Sequence, residues 1–133
     1  MKGQYQIINE ILIFAVGIVL VGVFLLTFQS LQNSVGDLST KDQLETVSNY
    51  IASGIVKAYS IGNSELRLEI PEKIGNDIYR IYANENLTLF ASGYNYTKEL
   101  FNIGKNYNIT GGTLSSAKYI KIIVNTTNIL LTR

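Results

Sequence analysis

The first part of the chain is organised around one long apolar run. The run from Ile11 to Phe28 contains 18 residues without a charge or a proline, and Thr27 is its only clearly polar member. A helix of this length and composition matches the hydrocarbon core of a bilayer. The sequence therefore predicts a transmembrane helix over 11–30, preceded by a polar, leader-like N-terminus over 1–10.

A second apolar pattern continues beyond this run. Apolar residues recur at spacings of three and four, the period of an amphipathic helix, at Leu31, Val35, Leu38, Leu44, Val47, Ile51 and Ile55. We expect the helix to continue over 31–62 and to stop at Gly62 and Asn63, which accept a left-handed backbone. The stretch "GDLST" at 36–40 combines a glycine with possible N-caps, and leaves open a kink or a break.

From Glu65 onward the period changes to the alternation of strands. "ELRLEIP" predicts a strand that stops at Pro71, the only proline of the chain. "DIYRIYANENLTLFASG" predicts two strands joined at 84–86, where Asn84 and Asn86 suit the positive φ of a tight turn.

The last third is predicted to contain a loop-rich segment and a second hairpin. Residues 93–117 are expected to be mainly turns and loops, and "KYIKIIVNTTNILLTR" predicts strands over 118–124 and 128–132. We therefore expect an α+β fold in which a long N-terminal hydrophobic helix carries a small antiparallel β-sheet domain, a β-rich globular head over 63–133, packed on its C-terminal half. The residues expected in the helix-sheet core are Leu44, Val47, Ile51 and Ile55.

Composition narrows the possible chemistry. Eleven basic and ten acidic residues give a net charge of +1, and no clustered basic stretch indicates phosphate binding, so no nucleic-acid partner is expected. The chain contains no cysteine, which excludes a disulfide framework. It contains no histidine either, which excludes Cys-His and Ser-His-Asp catalysis and removes the commonest transition-metal ligand. No cofactor or metal site is predicted.

One enzymatic alternative remains in the carboxylates Glu65, Glu69 and Glu72. Paired carboxylates can hydrolyse glycosides, but only at a defined separation. Glu65 and Glu69 lie in an alternating stretch, where a solvated strand face is the simpler interpretation. We therefore expect the protein not to be an enzyme.

The membrane prediction also carries an orientation. A secretory signal peptide has a shorter apolar core and a small-residue cleavage site, which "TFQSLQNSVGDL" does not supply. Lys2 is the only basic side chain before the apolar run. The charges of the residues that follow the run nearly cancel. The positive-inside tendency therefore favours a cytoplasmic N-terminus and an external C-terminal domain.

Four triplets of the form Asn-x-Thr occur in that domain, and none of the form Asn-x-Ser. Asparagine-rich loops can produce such triplets without being modified. Because the orientation places them outside, the sequence predicts N-glycosylation. The candidate sites are Asn86, Asn95, Asn108 and Asn125.

The N-terminal organisation resembles that of archaeal type IV pilins with a class III signal peptide. The resemblance rests on a short basic leader "MKG", a polar stretch "QYQIINE", the uninterrupted helix and a small strand-rich head. It implies that a prepilin peptidase cuts behind Lys2, between Gly3 and Gln4. Glu10 would then correspond to the family's glutamate near the mature N-terminus, as the seventh residue where the family has the fifth.

Glu10 has two interpretations. A carboxylate at the edge of an apolar helix bundle is costly alone, so pairing with an amino terminus or a lysine of an adjacent subunit would offset that cost and set the axial register. Alternatively, Glu10 is simply hydrated at the cytoplasmic interface.

The resemblance implies a structural subunit of an extracellular, type IV pilus-like filament, with the helix over 11–30 in its core. The expected partners are copies of itself or related pilins, the membrane before assembly, a prepilin peptidase and an assembly motor. The alternative is a membrane-anchored surface binding protein that does not polymerise, or an accessory component that anchors an archaeal motility filament. Five tyrosines of the strand-rich part could form an adhesive surface, but packing in the core is the simpler interpretation; they are Tyr79, Tyr82, Tyr94, Tyr96 and Tyr107.

Overall fold

The computed structural model describes residues 2–100 and 102–133. The helices are α1 (Lys2–Ile61) and α2 (Ile103–Asn106). The strands are β1 (Ser64–Glu69), β2 (Arg80–Asn84), β3 (Asn86–Ala91), β4 (Tyr94–Glu99), β5 (Asn108–Leu114), β6 (Tyr119–Val124) and β7 (Asn128–Thr132). A short 3-10 turn, Ser115–Ala117, connects β5 and β6. Contacts divide the chain into two compact units, Met1–Asp37 and Leu38–Arg133.

Helix α1 includes residues 36–40, so the glycine at position 36 does not break it. The helix ends at Ile61, and Gly62 follows with φ of 79°, in the left-handed region that stops a helix. The Thr46 hydroxyl donates a hydrogen bond to the Asp42 carbonyl at 2.9 Å. Such back-bonding satisfies polar side chains within the helix itself.

The seven strands form one sheet in the order β1-β6-β7-β5-β2-β3-β4. All neighbouring pairs are antiparallel except β5 and β7, which are parallel. The prediction of an α+β fold, with a long apolar helix and a mainly antiparallel sheet, is confirmed.

Two local predictions are wrong. At the β2–β3 turn the positive φ belongs to Glu85 (57°), not to Asn84 or Asn86, which pair with each other across the turn. The segment 93–117 is mostly regular structure, because it contains β4, α2 and β5. Its pattern is obscure since the inward positions of β4 include a lysine and β5 contains two adjacent glycines.

The core of the second unit lies between one face of the sheet and the part of α1 that follows Asp37. Leu44, Val47, Ile51 and Ile55 are all buried there. Gly54 allows the closest approach, because a Cβ at this position would overlap the Leu68 side chain. The four residues predicted from helical spacing therefore lie in the hydrophobic cluster of this unit.

The loop between β1 and β2 closes one end of this core. Tyr79 is fully buried, and its hydroxyl donates to the Pro71 carbonyl at 2.8 Å. The Ser115 hydroxyl donates to the Glu72 carbonyl at 2.6 Å and accepts from the Tyr79 amide at 3.0 Å. The Gly75 amide donates to Oε1 of Gln43 on α1 at 3.0 Å. Side chains thus satisfy several backbone groups of this loop, while the backbones of Ile74 and Asp77 bond to each other.

Candidate functional site

The first candidate is the apolar segment of α1 in the first unit. Each large hydrophobic side chain from Ile11 to Phe28 is 50–73% exposed. The Thr27 hydroxyl donates to the Val23 carbonyl at 2.9 Å, so it requires no external partner. The helix contains a window with a mean hydropathy of 3.0, of which nothing is buried within the unit. This segment is long and apolar enough to cross a membrane.

Glycines interrupt the surface of this segment. Gly17 leaves an open groove of about 510 Å³ that is lined by Ile13, Phe14, Ile18 and Val21. A Cβ at Gly17 or Gly22 would meet no atom within 4 Å. Small residues allow an apolar side chain of another helix, or a lipid chain, to approach the backbone closely.

The candidate processing and register residues lie in the first turns of α1. Gly3 and Gln4 are helical and exposed, whereas the side chain of Lys2 is outside the described part of the chain. Glu10 is exposed and joins none of the ion pairs found among the described residues. Any cation for its carboxylate must therefore come from outside the described residues of this chain.

The second candidate is the outer face of the sheet, which points away from the part of α1 that follows Asp37. Three of the four glycosylation triplets lie in strands, with asparagine and threonine on the outer face and the middle residue inward, because side chains alternate along a strand. Asn125 differs because it lies in the β6–β7 turn, where its amide donates to the Asn128 carbonyl at 2.8 Å. All four asparagines are exposed, at positions 86, 95, 108 and 125.

The carboxylates of the enzymatic alternative are dispersed. Glu65 and Glu69 are exposed four residues apart on β1, which corresponds to about 13 Å along a strand. Glycosidase carboxyl groups lie closer together, at no more than about 9.5 Å. Glu65 pairs with Lys121 at 3.4 Å and Glu72 with Lys118 at 3.3 Å. Across the described residues, no three acidic side chains gather as a metal site.

The tyrosines divide between core and surface. Tyr79 is buried, and Tyr94, Tyr96 and Tyr107 are half-buried against the core. Tyr82 is 51% exposed on the outer face. Of these five tyrosines, only Tyr82 is exposed.

Sequence reasoning missed a group around Tyr82, which we name the Arg80 patch. Its apolar members are 45–51% exposed and surround one arginine. The patch consists of Ile78, Arg80, Tyr82, Phe90 and Leu114. The alternation in "DIYRIYAN" places residues 78, 80 and 82 on one face, but the strands that supply Phe90 and Leu114 are known only from the sheet register.

Comparison with protein-family models, curated proteins and solved structures found no match for this chain. Its own surfaces are therefore the basis for inferring its function.

Proposed function

We propose that this chain is a structural subunit of an extracellular filament of the type IV pilus kind. The observation that carries the proposal is the apolar segment of α1, which is exposed on all sides in a chain that also contains a folded sheet domain. Covering its fourteen large hydrophobic side chains is worth on the order of 20 kcal/mol. A lone chain in water would forgo this free energy, so the segment requires lipid or neighbouring helices.

Both environments fit the dimensions of the segment. Eighteen helical residues extend about 27 Å, close to the thickness of a bilayer core. The resemblance of the N-terminus to archaeal pilins supports the second environment, in which helices of other subunits replace lipid. The subunit would therefore wait in the membrane and exchange lipid contacts for helix contacts during assembly.

Glu10 is the proposed register contact in this exchange. Its carboxylate stands one residue before the apolar run and has no cationic partner among the described side chains. Enclosed by apolar helices, a lone carboxylate is strongly unfavourable. Pairing with an amino terminus or a lysine of a neighbouring subunit would remove that cost at one axial offset only.

The proposed orientation places the N-terminus inside the cell and the sheet domain outside. The exposure of all four candidate asparagines supports their modification in that compartment. Processing between Gly3 and Gln4 is part of the same proposal, since it would release the subunit for assembly.

The first experiment is intact-mass and peptide mass spectrometry of material sheared from the cell surface, with the membrane fraction analysed in parallel. A filament subunit is expected to be abundant in the sheared fraction, to begin at Gln4, and to carry extra mass on the Asn-x-Thr peptides. Retention in the membrane fraction with Met1 in place would contradict the filament and favour the anchored surface protein.

The register contact is tested by Glu10→Ala, with Glu45→Ala as the matched control. Glu45 is also an exposed glutamate of α1 without an ion pair among the described residues. We expect Glu10→Ala to lower the yield of sheared filaments by at least about tenfold while membrane insertion is unchanged, because the interhelical ion pair is lost. Equal filament yields for the two variants would refute the assigned role.

A further inference from the structure

The Arg80 patch has the composition of a protein contact surface. Arg80 lies between Leu114 on β5 and Phe90 on β3 in the strand register. Tyr82 follows two residues later on the same face, and Ile78 precedes by two. Aromatic residues and arginine are enriched at the centres of protein interfaces. Exposed hydrophobic residues without a binding role are scattered singly over a surface, whereas those of the Arg80 patch are contiguous.

The guanidinium of Arg80 is available to a carboxylate. Within the described residues it joins no ion pair, and its hydrogen bond from Nη1 to the Tyr82 hydroxyl is long, at 3.5 Å. An arginine that is covered by an apolar partner needs an opposite charge, because burying the guanidinium alone is unfavourable. The occupant of the patch must therefore offer a carboxylate beside apolar atoms.

The same sheet face carries such a carboxylate at its other side. Glu69 is exposed on β1, forms no ion pair in the described part of the chain, and pairs in register with Tyr119 on β6. Lys121 on β6 pairs with Thr132 on β7, and Gly111 on β5 pairs with Leu131. Continued past the end of β7, these two registers bring Tyr119 and Leu114 to the same level along the strands. Glu69 and Arg80 thus occupy one cross-strand row, four strands or about 19 Å apart.

We propose that the outer face binds a second copy of this chain, face to face, about a two-fold axis parallel to the strands near β7. This operation places Arg80 of each copy against Glu69 of the other, and Leu114 against the Arg67 side chain that lies over the Tyr119 ring at 3.9 Å. Leu130 on β7, 41% exposed, lies near the axis and meets its own equivalent. The contact is isologous, so each ion pair and each apolar pair occurs twice.

The size of the contact makes it weak. The five strands from β1 to β2 span about 24 Å, and three rows of outward side chains span about 20 Å along them. The buried surface is therefore about 1,000 Å² in total, at the low end of specific interfaces. Asn86 lies on β3, outside the five strands, so a glycan there is compatible with the contact. Asn108 lies on the outer face of β5, and Asn95 pairs with Phe90 of the Arg80 patch, so the contact requires that these two asparagines carry no glycan.

The dimer itself does not depend on the proposed function. Where the chain is a filament subunit, the contact would link the sheet domains of chains in neighbouring filaments. That consequence rests on the proposed function. Many weak contacts arrayed along two filaments would act together through multivalency.

The test uses the full chain inserted as single copies into lipid nanodiscs, with donor and acceptor dyes on separate disc populations. Separate discs keep the α1 segments of different copies apart, so energy transfer between discs reports contact of the sheet domains. We expect Arg80→Glu and Glu69→Arg each to lower inter-disc association by at least about tenfold. The double variant R80E/E69R is expected to restore association to within about threefold of the unsubstituted chain, because the reversed pair re-forms.

Lys105→Glu is the charge-matched control, since Lys105 is exposed on α2 rather than on the sheet. The proposal is overturned if unsubstituted discs do not associate, if Arg80→Glu weakens association no more than Lys105→Glu, or if the double variant does not recover. Matching circular dichroism spectra exclude unfolding as the cause of a loss. Failure to find filaments in the sheared fraction would leave these outcomes unchanged, so the two proposals fail separately.

Discussion

Replacement of Tyr79 by phenylalanine tests how the core of the sheet domain is closed. The ring is fully buried, and the hydroxyl donates to the Pro71 carbonyl at 2.8 Å. Tyr79→Phe retains the ring and removes this hydrogen bond. Near neutral pH we expect the variant to be less stable by about 1 kcal/mol, the usual net contribution of one such bond.

The pH dependence gives this prediction its sharper form. Burial raises the pKa of Tyr79 well above its ordinary value of 10.0. Below pH 10 the phenol is protonated in both the folded and the unfolded chain, so its full contribution to stability is present. Above pH 10 the unfolded chain releases the proton while the folded chain retains it, and stability falls by roughly 1 kcal/mol per pH unit.

The Tyr79→Phe variant has no phenolic proton at position 79, so its stability does not show this decline above pH 10. The difference between the two chains should shrink above pH 10 and change sign near about pH 11, where the variant becomes the more stable one. The assay is urea unfolding of the full chain in detergent, followed by circular dichroism at pH 8 to 11.5. A difference in unfolding free energy that stays constant across this range would refute the assignment of Tyr79 as a buried, protonated phenol.

Two further substitutions test the packing by the same unfolding assay. Ile55→Ala should lower the free energy of unfolding by about 2–5 kcal/mol, because it leaves a cavity in the core. Val56 is 38% exposed, so the control Val56→Ala should cost less than about 1 kcal/mol. Equal losses would contradict the finding that Ile55, and not Val56, lies on the face of α1 that packs against the sheet. Gly111→Ala should cost at least about 2 kcal/mol, because Gly111 has φ of 114° and an added Cβ would overlap the Leu131 carbonyl. A fully stable Gly111→Ala would show that the parallel β5–β7 contact is looser than described.

Helical spacing identified much of the packing in advance. Leu44, Val47, Ile51 and Ile55 were expected on one face of α1, and all four are buried under the sheet. The reason is that the periodicity of a helix is local: a residue's face is set by its position within the same segment. The end of the helix at Gly62 is also locally determined, since it depends on the backbone conformation of that one residue.

Features that depend on distant strands were not predicted. The sequence of β4 and β5 predicts loops, because the inward Lys98 and the adjacent glycines of β5 obscure the alternation of a strand. The parallel pairing of β5 with β7 joins Ile109 to Ile129 and has no signature in either strand alone. Glu85 takes the positive φ because the register of β2 with β3 places it, rather than an asparagine, at the turn.

The candidate surfaces divide in the same way. The sequence by itself determined the apolar segment that can cross a membrane, the carboxylate of Glu10 at its border, and the four Asn-x-Thr triplets, because each is a property of consecutive residues. Only the tertiary structure decided that Arg80 lies among exposed apolar side chains in the same row as Glu69. A row across a sheet is set by pairing between residues far apart in sequence, and the free energy of that pairing comes from a core that forms only when the whole domain folds.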